Sequence, residues 1–125
     1  MPLFTLKSQA QTCALEHPEQ DYRTARRAAQ YRVSAQAIYF PAFPGTRYLP
    51  FRAVTKALTR NTSLPLTGCC GKALPMTRLR LYYDGECYQD FLFEKLSEAN
   101  RVLDDLHALC PATPIERETR VASAI

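Results

Sequence analysis

The chain has 125 residues, 46% of them hydrophobic and 22% charged, with a formal net charge of +4. That suffices for one domain with a real core, is too little for two, and excludes disorder of the whole chain. The mild positive balance falls short of the contiguous basic surface of a nucleic-acid binder, and no stretch approaches the roughly 18 apolar residues of a membrane span.

The start, Met1 to Lys7, lacks the basic opening and long apolar run of a signal peptide. The five cysteines are then expected as reduced thiols in a cytoplasmic setting, and their odd number argues against a disulfide framework. One domain is expected over 1–125, with an N-terminal arm at 1–17, a core at 18–110 and a tail at 111–125.

In the arm, Leu3, Phe4 and Leu6 fit a short strand, and Ala10 to Glu16 fit a helical turn. Pro18 suits the first position of a helix, where its missing N–H costs nothing. Glu19 and Asp21 in the first turn favour the helix dipole. Tyr22, Ala25 and Ala28 or Ala29 continue a narrow apolar stripe, so a helix is predicted over Pro18 to Gln30.

A β-rich block follows. Ala37-Ile38-Tyr39-Phe40 is β-branched and aromatic, and Pro41 to Gly45 reads as a turn because two prolines and a glycine break a central strand. Thr46 to Phe51 is extended, with Pro50 at an edge or a strand end. Ala53 to Thr62 fits either period, and a strand is favoured because sequential strands tend to pair. Leu64 to Pro75, with two prolines and two glycines, reads as the longest loop.

Arg78 to Tyr83 and Cys87 to Phe93 form a hairpin. A two-residue Asp-Gly loop would set Leu79 opposite Asp90. A three-residue loop, Asp84-Gly85-Glu86, sets Leu79 opposite Phe91 and Tyr83 opposite Cys87, which keeps the apolar residues on one face. The bulged turn with a left-handed Gly85 is therefore expected. A helix follows from Lys95 or Ser97, with Ser97 as candidate N-cap. Its stripe is Leu96, Ala99, Val102, Leu103, Leu106 and Leu109, and Pro111 ends it. The tail fits either a mobile segment or a short helix.

No string carries a reaction at useful specificity. Gly68-Cys69-Cys70-Gly71-Lys72 offers a vicinal thiol pair or an anion nest, yet it lacks the CxxC spacing of zinc sites and the full phosphate-loop pattern. A tight loop with one thiol buried is favoured. His17 and His107 could pair with Cys13 or Cys110 only through proximity in the fold. Asp104 and Asp105 are helix neighbours that do not face each other. Phe43, held by two prolines in its turn, either folds back on the core or inserts into a partner.

The order of elements resembles the pleckstrin-homology-like (PH-like) barrel, a bent antiparallel sheet closed by a C-terminal helix. Residues 37–40, 46–51, 78–93 and 96–109 carry the resemblance. The chain departs from it in showing five strands rather than seven and an additional N-terminal helix. Phosphoinositide binding in that superfamily uses basic residues between the first two strands. Here Pro41 to Gly45 holds none and only Arg47 follows, so lipid recognition does not carry over.

The resemblance implies an α+β, non-enzymatic protein-interaction module without a cofactor, acting on an unknown protein or on a second copy of itself. The candidate contact residues are Phe43, Arg47 and Tyr48. The alternatives are a small thiol redox or metal-binding protein using Cys69, Cys70 and Lys72, and a weak binder of nucleic acid or anionic surfaces through Arg23, Arg26, Arg27 and Arg32. Nucleic acid is the less expected partner.

Overall fold

The computed structural model describes residues 6–42, 45–65 and 73–117. Its first sheet holds β1 (Leu6–Ser8), β2 (Arg26–Ala28), β3 (Tyr31–Val33), β4 (Ala37–Ala42) and β5 (Gly45–Pro50), in the order β1-β5-β4-β3-β2. A 3-10 turn at Phe51–Ala53 leads into the second sheet. That sheet holds β6 (Val54–Pro65), β7 (Ala73–Tyr83), β8 (Cys87–Phe93) and β9 (Ile115–Glu116), in the order β8-β7-β6-β9. Two helices, α1 (Pro18–Thr24) and α2 (Leu96–Leu109), complete an α+β fold. Among the described residues the sheets do not close into a barrel.

One core lies between the inner faces of the two sheets. Tyr31, Val33, Ile38, Phe40 and Leu49 face Ala57, Leu79, Leu81, Phe91 and Phe93, and α2 adds Ala99, Val102, Leu103 and Leu106. Phe91 shows how tight the contact is: its ring meets Tyr31 edge-on at 5.1 Å and Phe40 at 5.3 Å. A smaller cluster covers the opposite face of the first sheet. There Ala25, Ala37, Tyr39 and Tyr48 pack under Leu6, Leu15 and Tyr22, so α1 and the arm lie on that face.

The β7–β8 hairpin has the expected register, with Leu79 opposite Phe91 and Tyr83 opposite Cys87. Gly85 has φ +82°, and Asp84 before it is also left-handed at +48°. Strand is correct for 54–62 and continues to Pro65, while Ala53 belongs to the 3-10 turn. The α2 stripe is correct too: Ala99, Val102, Leu103 and Leu106 are fully buried.

Several expectations need correction. The helix predicted to Gln30 stops at Thr24, and Arg26 to Val33 forms a β2–β3 hairpin instead. No helical turn forms over Ala10 to Glu16. The N-cap of α2 is Lys95 rather than Ser97, with no side-chain cap bond. The sheets are not wholly antiparallel, because β1 runs parallel to β5 and β9 parallel to β6. The tail is thus neither loose nor helical at Ile115–Glu116, where it adds a strand and Ala57 donates its N–H to Pro114 O at 3.0 Å.

Prolines misled the strand limits in three places. Pro41 lies inside β4, and Pro65 and Pro75 lie inside β6 and β7. Each sits where its strand has outrun the neighbour on one side, so a missing N–H breaks no ladder. The β3 register ends at Tyr39, β8 ends opposite Thr77, and β9 reaches only to Leu58. Of the segment read as a long loop, 64–65 and 73–75 are therefore paired strand, and 66–72 lie outside the described residues.

Candidate functional site

The proposed contact residues are not gathered into one surface. Arg47 is exposed and donates from Nη1 to Gln9 Oε1 at 3.2 Å. Tyr48 is only 2% exposed, and its hydroxyl accepts the Leu15 N–H at 3.2 Å, so its ring serves the fold. Phe43 lies outside the described residues, as do Cys69, Cys70 and Lys72.

The arginine segment is split between functions. Arg26 meets Asp105 of α2 at 2.6 Å, off the hydrogen-bond direction, as an ion pair tying β2 to the helix. Arg32 lies over the Tyr22 ring at 5.1 Å, on the opposite side of the sheet. Arg23 and Arg27 are exposed there. The hairpin thus sends successive arginines to opposite faces, as the two-residue strand period requires.

A cleft of about 660 Å³ runs between the arm, α1, Pro50, Arg52 and Leu109. Cys13 and His17 both line it, but no hydrogen bond joins them among the described residues. His107 and Cys110 stand at the C-terminal end of α2, the thiol turned to Phe51 O at 3.7 Å. Among the described residues no three His, Cys, Asp or Glu side chains converge as metal ligands. Asp21 also lines the cleft, and its Oδ2 accepts from Ser34 Oγ at 2.5 Å and Tyr39 OH at 2.6 Å. Burial first, then the Asp21 contact, pushes the Tyr39 phenol far above its usual pKa, so it stays a donor. That arrangement docks α1 onto the sheet.

The remaining large surface is the outer face of the second sheet, which no described element covers. Strand alternation sends Leu79, Leu81 and Phe91 inward, and Arg78, Arg80, Tyr82, Tyr88, Asp90 and Leu92 outward. Register aligns them in rows: Lys56, Tyr82 and Tyr88; Leu58, Arg80 and Asp90; Arg60, Arg78 and Leu92. β9 places Glu116 beside Leu58.

Contacts within this face are specific. Arg80 donates to both Asp90 oxygens, at 2.7 and 3.1 Å, and its guanidinium lies over the Tyr88 ring at 4.1 Å. The paired Asp90 carboxylate is the main reason its protonation is held even more firmly than usual. Tyr82 and Tyr88 stand 5.8 Å apart at 57°. Tyr88 is 50% exposed, the one large apolar side chain among the described residues left so open. Reading the sequence alone passed over this surface, although the alternation of Arg80, Tyr82, Tyr88 and Asp90 around the turn contains half of it.

Comparison of the chain with protein-family models, with curated proteins and with solved structures finds no match. Among the described residues no helix is long and apolar enough to cross a membrane.

Proposed function

We propose that this chain is a non-enzymatic protein-interaction module of PH-like layout, and that it meets its partner through the outer face of β6, β7 and β8. One observation carries the reading: the half-exposed Tyr88, held under Arg80 on the edge strand of a sheet face that no described element covers. A rigid amphipathic ring whose conformation is already set loses little entropy on contact, which is why tyrosine and arginine are enriched where proteins meet. The layout supports the PH-like part: two sheets joined through a corner at Phe51–Ala53, and a helix after the last long strand. β1, β9 and α1 are additions to that plan.

A photo-crosslinking phenylalanine analogue at Tyr88 tests this in cells, with the same residue at exposed Glu19 of α1 as the comparison. The expected result is one discrete cross-linked species from position 88 and none from position 19. The same diffuse pattern from both positions, or none from either, overturns the assignment.

A further inference from the structure

The charges on this face are arranged unevenly. Glu116 is shared by Lys56 at 3.7 Å and Arg60 at 3.0 Å. Asp90 is shared by Arg80 at 2.7 Å and Arg78 at 3.9 Å. Each carboxylate therefore answers two cations, and each cluster is left with one positive charge in excess. The clusters lie on adjoining strands of one sheet face, with Leu58 between Glu116 and Arg80 and the two tyrosines one row away. Resting on the interaction reading above, we infer that the partner presents an acidic polypeptide segment, with carboxylates on the two clusters and apolar side chains on Leu58, Tyr82 and Tyr88.

The same features count against other occupants. A second copy would bring two faces of like charge together, so self-association through this face is disfavoured. Single-stranded nucleic acid would need free aromatic faces for stacking, whereas Arg80 covers one face of Tyr88 and the tyrosine pair is tilted rather than flat. Two carboxylates on the surface would also repel a phosphate chain, which a duplex binder avoids with a denser basic patch. A polypeptide, with fewer charges and more apolar area per length, suits an excess of two.

The test is binding of a fluorescent glutamate–tyrosine copolymer to the whole chain, read by anisotropy at low and moderate salt. Three proteins are compared: the parent, a K56E/R60E variant, and an R23E/R27E variant altered on the opposite side. Lys56 and Arg60 side chains are about half exposed (45% and 51%), so their reversal spares the core. The expected outcome is binding that K56E/R60E weakens about tenfold or more and R23E/R27E leaves within about twofold. No binding by the parent, or equal loss in both variants, overturns the inference. A single-stranded oligonucleotide that binds more tightly with the same variant pattern overturns it in favour of nucleic acid. Cross-linking from position 88 separates the two claims. A discrete cross-link from the parent that survives K56E/R60E removes the acidic partner and keeps the interface, one that K56E/R60E abolishes supports both, and none from the parent removes both.

Discussion

Asp21 shows how one residue can hold an element that could not hold itself. α1 has seven residues, no side-chain cap and no fully buried residue, and a helix that short is not stable alone in water. Its attachment is the Asp21 carboxylate on the hydroxyls of Ser34 and Tyr39, which are 4% and 1% exposed. Ser34 Oγ is itself fixed by accepting the N–H groups of Gln36 at 3.0 Å and Ala37 at 3.1 Å. Asp21→Ala removes two charge-assisted bonds and leaves two hydroxyls in apolar surroundings. Each has a fallback acceptor, Ala37 O at 3.4 Å and Pro18 O at 3.2 Å, so the loss stays below the full penalty. We expect a cost of about 2 kcal/mol, read from the urea midpoint, with β2 to β5 otherwise unchanged. A variant as stable as the parent would show that α1 is held by Tyr22 and Leu15 packing alone.

At the scale of elements, legibility follows contact range. The β7–β8 hairpin was readable because both strands are seven residues or longer, alternate cleanly and close on Asp-Gly. The α2 stripe was readable for the corresponding helical reason. The β2–β3 hairpin was not: each strand has three residues, too few for a period, and the turn is Ala29-Gln30 rather than Asn-Gly. Ala29 takes φ +56°, which alanine adopts at a cost because its Cβ crowds the carbonyl. Ala29→Gly should therefore stabilise the protein by about 0.5–1 kcal/mol in chemical denaturation, the relief of strain exceeding glycine's greater unfolded-state entropy. A loss of stability instead would mean that the turn relaxes in solution. The candidate surface was half legible for the same reason. Its β7–β8 half is written in local alternation, whereas Lys56, Arg60 and Glu116 join it through pairings of β6 with β7 and β9 that no local pattern encodes.

For the molecule as a whole, the described parts of the arm and the tail, 6–17 and 111–117, belong to the domain rather than hanging from it. The tail adds β9. The arm adds β1, places Ala10 at 4% exposure in the central core, and crosses to the far sheet, where Gln9 Nε2 donates to Tyr83 OH at 2.9 Å. On its way to α1 it meets the β7–β8 turn: Thr12 Oγ1 donates to Asp84 Oδ1 at 2.5 Å and the Gln11 N–H to Oδ2 at 2.6 Å. The Thr12 hydroxyl first, and then the Gln11 amide, hold the Asp84 carboxyl below its usual pKa of 3.8. A carboxyl depressed in the folded state contributes stability that is complete above the unfolded value and fades as pH falls through the folded one. The arm should thus be fastened to the turn at neutral pH and loosen only below about pH 4. Amide exchange of Gln11 measures this directly: protection should be flat from pH 7 to 5, once the intrinsic rate is corrected, and drop on further acidification. Asp84→Asn should lower protection at every pH and abolish the acid step, while retaining the left-handed backbone that Asn tolerates. The core amides of β7, buried away from the arm, should keep their protection through the same range. Were they to lose it together with Gln11, acid would be unfolding the domain globally rather than releasing one strap that joins its two sheets.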